Sequence, residues 1–462
     1  MDKKQALAVV KEKQARFIEI NDRIWEYAEM AFREYKSAAL LCEALEEEGF
    51  TVTRNVAGIE TAFTGSYGHG KPVIGVLGEF DALSAMNQKG GSTVKEPVSP
   101  EDARKPGHGC GHNSFAAGSL AAAVAVKEYL KANPDKSGTV IFFGCPGEEG
   151  GSGKTFMARD GVFDGLDAAI VWHPGVNNGV RSGSSLANQQ IEYSFHGVAA
   201  HASAAPYRGR SAYDAVELMN IGVQFLREHM LPSERIHYAV TDTGGLSPNV
   251  VQAESTVLYL IRSKTNRSVK ELVRRVDLVA QGAATMTETT LTRKFIKGCS
   301  NIVDNRVLGQ VMYENLKQAE LPTYTEEERA YCRAMVENTP GAALDKPCIQ
   351  EEVKPYEPKD GHSSGSSDVG DVSWICPTVW LEALLYPTGT PGHSWQRVSA
   401  GVTSMAHKGL LLAGEVMAGA VIDLLDDPAL VEQAKQEHAQ RLADQPYECP
   451  IPAGVEPRPM EG

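Results

Sequence analysis

Hydrophobic residues recur every three or four positions in two parts of the N-terminal third, and this period predicts amphipathic helices. Residues 5–48 carry enough such positions for two helices. Residues 114–131 are rich in Ala and Leu and predict a further helix, with Asn113 or Ser114 as its N-cap. Between these parts, residues 87–107 are polar and rich in Gly, Lys and Pro, which indicates a surface loop.

Residues 72–77, 139–143 and 168–172 are short, continuous apolar runs. Runs without alternation are typical of strands that are covered on both faces, as in a parallel sheet between helices. In open α/β sheets, ligands bind beyond the carboxyl ends of the strands. We therefore expect the polar side chains that follow these runs to lie at one edge of one sheet.

The pattern changes near residue 188, where Ile191, Tyr193 and Phe195 alternate with polar residues. This alternation predicts an antiparallel strand with one exposed face. We expect a small α+β insert at 188–300. Its other predicted elements are a strand at 257–262 and helices at 213–230 and 268–286.

The chain has 462 residues, which exceeds one ordinary hydrophobic core and predicts two domains. A long helix is predicted at 403–425, and the tail 446–462, which contains five prolines, is expected to be irregular. We predict that residues 1–187 and 301–462 form one domain and that the insert interrupts it.

The net charge of −14 arises from 45 basic and 59 acidic residues, and no basic cluster stands out. Nucleic acid and anionic membranes are therefore not expected as partners. No apolar run approaches the length of a membrane span, and the N-terminus lacks a signal-peptide pattern. The eight cysteines form no Cys-x-x-Cys pair, which suits reduced thiols in a cytoplasm.

Five side chains, widely spaced in the sequence, are candidate metal ligands. They are Cys110, His112, Glu149, His173 and His393. Thiolate, imidazole and carboxylate form the ligand set typical of zinc. Glu148, next to Glu149, adds a carboxylate that could act as a base on a metal-bound water. These residues predict a two-metal hydrolase that cuts an amide bond.

Most of these candidates also have a purely structural explanation. A lone cysteine such as Cys110 is usually a buried, inert thiol, and a lone histidine such as His173 is often structural. An acidic pair usually marks a solvated turn. Cys110 and His112 can converge on one metal site only if the glycines beside them bend the chain sharply.

Three motifs, in order, resemble the amidohydrolase branch of the dimetal aminoacylase and carboxypeptidase-like metallopeptidases. They are Glu79-Phe80-Asp81-Ala82-Leu83, Gly107-His108-Gly109-Cys110-Gly111-His112-Asn113 and Gly147-Glu148-Glu149-Gly150. Residues 367–374 and 389–394 are similar to its aminobenzoyl-glutamate subgroup, and the resemblance covers nearly the whole chain. Glu79 and Asn113 stand where the branch commonly has Asp, and both variants occur in this subgroup.

This resemblance implies an α/β fold: a mixed-sheet, dimetal-peptidase catalytic domain with an inserted α+β, ferredoxin-like domain for lid closure and dimerisation. It implies that the five candidates hold two metal ions and that Cys110 bridges them. Glu148 would be the general acid and base, and Asp81 would orient a metal ligand.

The resemblance also implies roles for three residues of the insert. His201 would stabilise the tetrahedral oxyanion in the partner subunit's active site. Asn249 and Arg262 would bind the substrate's carboxylate, for which the planar guanidinium is well suited. An exposed arginine at a strand end is the alternative for Arg262.

The expected reaction is hydrolysis of the amide between an acyl or aroyl group and an amino acid, with p-aminobenzoyl-glutamate as the expected substrate. Other N-acyl amino acids, auxin-type conjugates and dipeptides stay open within the same chemistry. Both Zn²⁺ and Mn²⁺ fit the ligand set.

The expected assembly is a homodimer through the insert, and a homologous partner subunit is the alternative. Two other classes of function also stay open. A hydrolase with Cys110 as its nucleophile would leave Glu148, Glu149 and His393 without a role. The second of these classes is a noncatalytic subunit that depends on a homologous partner.

Overall fold

Two β-sheets organise the chain in the computed structural model, which describes residues 1–443 and 445–460. A seven-stranded sheet has the order β1-β2-β4-β3-β5-β11-β6, and a four-stranded sheet has the order β10-β7-β9-β8. The strands are β1 (Thr51–Arg54), β2 (Phe63–His69), β3 (Val73–Glu79), β4 (Gly138–Cys145), β5 (Ala168–Gly175), β6 (Gly179–Val180), β7 (Ala187–His196), β8 (Arg235–Asp242), β9 (Glu254–Ser263), β10 (Thr290–Cys299) and β11 (Thr378–Leu384). The predicted α/β fold with a mixed sheet is confirmed.

Helices pack around both sheets. The α-helices of the described residues are α1 (Lys3–Glu12), α2 (Gln14–Tyr27), α3 (Tyr35–Glu47), α4 (His112–Ala132), α5 (Glu148–Gly151), α6 (Gly153–Arg159), α7 (Ala212–Arg227), α8 (Asn266–Thr287), α9 (Arg306–Gln318), α10 (Glu326–Glu337), α11 (Val369–Ile375), α12 (Trp395–Ala400), α13 (Ser404–Asp426) and α14 (Pro428–Leu442). In the part of the chain with described structure, no helix is long and apolar enough to cross a membrane.

The centre of the large sheet is parallel. β3 pairs in parallel with β4 and β5, and β11 pairs in parallel with β5. The three predicted apolar runs form β3, β4 and β5, and most of their residues are buried. Because the strands are parallel, their carboxyl ends meet at one edge of the sheet, as the continuous apolar runs predicted.

Helix α4 anchors this edge. Gly118 of α4 lies against the Trp172 side chain, where an added Cβ would come within 2.7 Å of the indole ring. The Trp172 indole nitrogen in turn donates a hydrogen bond of 3.0 Å to the Phe115 carbonyl. This close packing ties the start of α4, which contains His112, to the part of β5 that contains His173.

The four-stranded sheet is antiparallel throughout and uses residues 187–299. Its strands and helices follow in the chain order β7-α7-β8-β9-α8-β10, which with this strand order is the ferredoxin-like arrangement. Ile191, Tyr193 and Phe195 are buried, and the residues between them are more exposed, so the alternation correctly predicted a half-exposed strand. The domain division at 188–300 stays a prediction.

Several predicted elements differ from the structure. Residues 5–48 form three helices, because the backbone leaves helical geometry at Lys13 and turns left-handed at Ala28. The N-cap of α4 is Gly111, with φ 88°, so the prediction of Asn113 or Ser114 was wrong. His173 lies inside β5 and does not follow it.

After residue 300 the described structure has six helices, α9 to α14, where one was predicted. The predicted helix at 403–425 is α13, capped by the Thr403 side chain. Helix α14 follows after a single residue and was missed, because it has few apolar positions to mark it. Residues 445–460 contain no helix or strand, and the last two residues of the predicted irregular tail lie outside the described residues.

Candidate metal centre

All five candidate ligands come together at the carboxyl edge of the large sheet. Two groups of ligand atoms each lie within 4.8 Å of one another. The first group is Cys110, His112 and His173, and the second is Cys110, Glu149 and His393. Because the Cys110 thiol belongs to both groups, it stands where a ligand shared by two metal ions would be.

Gly111 gives the Cys110 loop the sharp bend that convergence requires. Its φ of +88° is in the left-handed region, and an added Cβ would come within 2.0 Å of the Tyr386 hydroxyl. The Cys110 sulfur then lies 3.3 Å from His173 Nε2. On the other side of the centre, His393 Nε2 lies 3.1 Å from Glu149 Oε1.

Hydrogen bonds orient the imidazole rings toward this space. His112 donates through Nδ1 to Asp81 Oδ1 at 2.8 Å, and His173 donates through Nδ1 to the Pro174 carbonyl at 2.8 Å. Each ring therefore presents Nε2 as a possible metal ligand. His112 Nε2 is buried, and among residues 1–443 and 445–460 its contact of 3.1 Å with Glu79 Oε2 lacks hydrogen-bond geometry.

Asp81 connects the two groups of ligands. It accepts from His112 through Oδ1, and its Oδ2 accepts from the Glu149 backbone N–H at 2.9 Å. Burial would raise the pKa of Asp81, but the His112 charge and these hydrogen bonds hold it below its usual value. A carboxylate that stays ionised strengthens both histidine orientation and metal binding.

The pKa values of the candidate histidines shift in different directions, and the neighbouring Cys110, Glu79 and Asp81 charges raise that of His112 well above its usual value despite its burial. Burial lowers the pKa of His173 well below its usual value, so the imidazole is neutral, as metal coordination requires. Hydrogen bonds to Cys110 and Glu149 raise the pKa of His393 to about 10. Binding a metal at this nitrogen therefore releases a proton. These donors together support a site for two metal ions.

Glu148 belongs to a third group of possible ligand atoms, next to the two groups of candidate ligands. Its carboxylate lies within 4.8 Å of ligand atoms of Glu79 and His112. Burial raises the pKa of Glu148 well above its usual value, and the Glu79 and Glu149 carboxylates raise it further. A carboxyl group in this setting can take up and return a proton.

Residues 75–400 match the peptidase family M20/M25/M40. The chain belongs to this family. It is 45% identical to one of the subunits of p-aminobenzoyl-glutamate hydrolase from Escherichia coli (strain K12), over 96% of each chain. As an M20 member it is a hydrolase that acts on amide bonds, as the motifs implied.

Two solved structures share the M20 fold. An aminobenzoyl-glutamate utilization protein from Klebsiella pneumoniae matches with a TM-score of 0.64 and 15% identity, over 90% of this chain and 97% of that one. A dinuclear metal-binding peptidase from Bacillus subtilis matches with a TM-score of 0.57 and 17% identity, over 90% of this chain and 99% of that one.

The M20 site contains a fully buried lysine that sequence reasoning missed. The Lys154 ammonium lies 2.5 Å from Glu79 Oε1 and 2.7 Å from Asp368 Oδ1. Glu79 Oε2 is in turn 3.1 Å from His112 Nε2. The sequence signal that could have indicated its burial is the position of this lysine beside the mostly uncharged residues at the start of α6. The lysine neutralises two carboxylates that would otherwise repel each other behind His112.

The structure places His201 and Asn249 together on the exposed surface of the insert. Ala202 N–H donates to the Asn249 carbonyl at 2.9 Å. The backbone N–H groups of Ser203 and Ala204 both point at His201 Nδ1, each at 3.3 Å. His201 therefore carries its proton on Nε2. None of the described hydrogen bonds of His201 is made to a candidate metal ligand of its own chain.

Arg262 lies beside a cavity whose lining contains none of the five candidate ligands. Its Nη1 donates to the Ser366 hydroxyl at 3.1 Å. Ser366 and Trp380 both line a cavity of about 520 Å³. The Trp380 ring centroid lies 5.9 Å from that of His173. Trp380 is thus the contact between this cavity and His173, whereas a separate cavity of about 930 Å³ is lined by the candidate ligand Glu149.

Proposed function

We propose that this chain hydrolyses N-aroyl amino acids and that p-aminobenzoyl-glutamate is its substrate. The observation that carries the proposal is the 45% identity to the Escherichia coli p-aminobenzoyl-glutamate hydrolase chain, over 96% of this chain. The proposed metal ligands are Cys110, His112, Glu149, His173 and His393, and Cys110 is proposed to bridge. Two divalent ions at these ligands supply polarisation of the amide carbonyl and of the attacking water.

In the proposed mechanism, Glu148 takes the proton from the attacking water and gives it to the leaving amine. Its carboxylate is grouped with Glu79 and His112 and not with Cys110, and we assign it to proton transfer. Asp81 holds His112 and Glu149 in place through one oxygen each. Asp81 is therefore a positioning residue.

The proposed substrate pocket is the cavity of about 520 Å³ lined by Ser366 and by Trp380, which packs against His173. Its volume is within the usual range of small-molecule sites. Arg262 borders it through Ser366, and its Nε has no hydrogen-bond partner among the described residues. This donor supports a role for Arg262 in binding a carboxylate of the glutamate. Asn249 is proposed to assist from the insert.

The proposed assembly is a homodimer through the insert at 188–300. The described hydrogen bonds of Asn249 and His201 stay within the insert, whereas a partner's insert could bring these residues over the site. His201 Nε2 would then donate a hydrogen bond to the oxyanion. Because the Escherichia coli relative is named as one subunit of its enzyme, a complex with a homologous partner is the second candidate.

The proposed metals are Zn²⁺ or Mn²⁺, since the mixed Cys, His and Glu set accepts both. The eight cysteines are all free thiols in the structure. Free thiols persist in a reducing compartment, which supports a cytoplasmic location.

The test is release of the amino acid from a panel that contains p-aminobenzoyl-glutamate, other acyl-amino acids and dipeptides. We expect release by the purified chain, loss after chelation, and recovery with Zn²⁺ or Mn²⁺. Glu148→Ala should bind the metals and lose activity by about 10²-fold or more. Release that is indifferent to chelation would overturn the metal mechanism. Two bound metals without release from any substrate would favour a chain that needs a partner.

A further inference from the structure

The turn that carries Glu148 and Glu149 is too short to hold its own position. Helix α5 has only four residues, and both residues that flank it are left-handed, with φ 67° at Gly147 and φ 57° at Ser152. A single helical turn satisfies few of its own backbone groups. The position of Glu148 and Glu149 must therefore depend on contacts from other parts of the chain.

The N-terminal region provides one set of these contacts. The Phe32 ring lies directly beneath the turn, where an added Cβ would come within 2.9 Å of it at Gly147 and 2.1 Å at Gly151. Glu34 Oε1 also accepts from the Gly147 backbone N–H at 2.8 Å. These contacts come only from residues 32 and 34 of the N-terminal region.

The insert provides a second contact, directly at a metal ligand. Lys297 of β10 donates from Nζ to the Glu149 carbonyl at 2.9 Å. The register between β10 and β7 shifts between Phe295 and Lys297. A bulge of this kind changes the direction of a side chain within a strand, and bulges are frequent beside active sites.

The C-terminal segment provides a third contact. Met460 lies against Gly150, where an added Cβ would be 2.0 Å from its sulfur. The Met460 backbone N–H donates to the Ala31 carbonyl at 3.0 Å, which holds this residue in place beside α5. Met460 and Lys297 thus reach consecutive residues, Gly150 and Glu149, from two separate parts of the chain.

We propose that Lys297 and Met460 are positioning residues that hold Glu149, and Glu148 with it, at the metal site. The position of a metal ligand is then set in part by the insert, so a movement of the insert is transmitted to the metals. The proposal rests on the metal site proposed above. It adds a mechanical connection between the insert and the ligands within one chain.

The first experiment compares Lys297→Met, Lys297→Arg and the control Lys294→Met in the full-length chain. Lys294 lies on the same strand with an exposed side chain. The affinity for Zn²⁺ is measured by competition with a colorimetric chelator. Lys297 bonds the backbone carbonyl of Glu149, and changing a residue that positions a metal ligand commonly costs about 10–100-fold in affinity, so we expect a loss of up to this size at one of the two sites in Lys297→Met. Lys297→Arg should retain most of the affinity, and Lys294→Met all of it.

The kinetic readout separates positioning from substrate binding. In Lys297→Met we expect kcat to fall and KM to change little, because the ligand and not the substrate is displaced. Wild-type Zn²⁺ affinity in Lys297→Met would overturn the proposal, as would an equal loss in Lys294→Met. A wild-type chain that binds two Zn²⁺ but hydrolyses nothing would overturn the proposed function alone, since the affinities still report on positioning.

The second experiment is a double-mutant cycle between Gly150→Ala and Met460→Ala. Each single change should weaken Zn²⁺ binding by about tenfold, because Met460→Ala removes the contact with the turn and the Cβ of Gly150→Ala would collide with the Met460 sulfur. In the Met460→Ala background, Gly150→Ala should add no further loss, since the nearest remaining atom is then Ala31 Cβ at 3.4 Å. Additive losses, or no loss in either single variant, would overturn the role of Met460.

Discussion

Glu34 is a buried carboxyl group without a cation beside it in the described residues. Its oxygens accept from the Gly147 backbone N–H and the Thr61 hydroxyl. Burial raises the pKa of Glu34 to about 8, and the nearby Asp81 carboxylate contributes. At neutral pH the folded chain therefore keeps a proton on this residue, which an unfolded chain would have lost.

We expect Glu34→Gln to stabilise the fold increasingly as the pH rises. A carboxyl with a raised folded pKa contributes stability that is complete below its unfolded pKa of 4.5 and is lost as the pH rises through about 8. The side-chain amide of glutamine does not ionise in this pH range, so it makes no such pH-dependent contribution. The difference in unfolding free energy between variant and wild type should therefore grow by roughly 3–4 kcal/mol between about pH 5 and pH 8.

Urea unfolding at several pH values in this window measures the difference. The exposed Glu60 offers the control Glu60→Gln, which should follow the wild type at every pH. A Glu34→Gln curve parallel to that of the wild type would show that the carboxyl is ionised in the folded chain.

Single residues were predictable where the chemistry is visible in the residue type. The ligand atoms of Cys110 and Glu149 do lie within reach of one metal ion. Lys154 was not predictable, because a lysine is usually exposed and only the packed structure shows that it is fully buried between two carboxylates. Met460 was missed for a similar reason, since nothing in the tail's sequence shows that it returns to Gly150.

Among the elements, the loop before α4 combines a strained backbone with close packing. Gly111 has a φ of +88° and lies beneath the Tyr386 hydroxyl. Gly91 has a similar φ of +71°, but an added Cβ there would meet nothing within 4 Å. The two glycines therefore separate the cost of left-handed backbone from the cost of the contact.

We expect Gly91→Ala to lower the free energy of unfolding by about 1–2 kcal/mol, which is the cost of left-handed backbone for alanine. Gly111→Ala should lose about 1–3 kcal/mol more, because the methyl group also collides with Tyr386. It should in addition weaken Zn²⁺ binding, since Cys110 and His112 flank the glycine. Urea unfolding and chelator competition measure the two effects. Equal stability losses in the two variants would show that the Tyr386 side chain moves aside without lowering the free energy of unfolding.

Element types were more predictable than element ends. The continuous apolar runs correctly predicted β3, β4 and β5, because strands covered on both faces need apolar residues at every position. The start of α4 was placed too late, because a polar N-cap was assumed where a left-handed glycine is used. α14 was missed, since few of its residues are buried and its pattern of apolar positions is weak.

For the whole molecule, the proposed use of His201 in a partner's site has a quantitative consequence. Glu148→Ala and His201→Ala should each be inactive as pure proteins. If subunits exchange at random, half of the dimers in an equal mixture contain one chain of each kind. Each of these has one site with both residues intact, so the mixture should recover about a quarter of wild-type activity.

Activity is measured after the two variants are unfolded and refolded together, with separately refolded samples as the control. No recovery in the mixture would show that His201 acts within its own chain or not at all. Recovery in samples that are mixed only after refolding would show instead that dimers exchange subunits quickly.

The order of the metal ligands along the chain has a consequence for biosynthesis. Cys110, His112, Glu149 and His173 all precede the four-stranded sheet, whereas His393 follows it. During translation four of these residues therefore emerge from the ribosome long before His393, and Met460 emerges later still. During translation the nascent chain can assemble the Cys110, His112 and His173 group first. With the proposed ligands, the group of Cys110, Glu149 and His393 becomes available only near the end of synthesis, so we expect the two metals to be loaded in sequence.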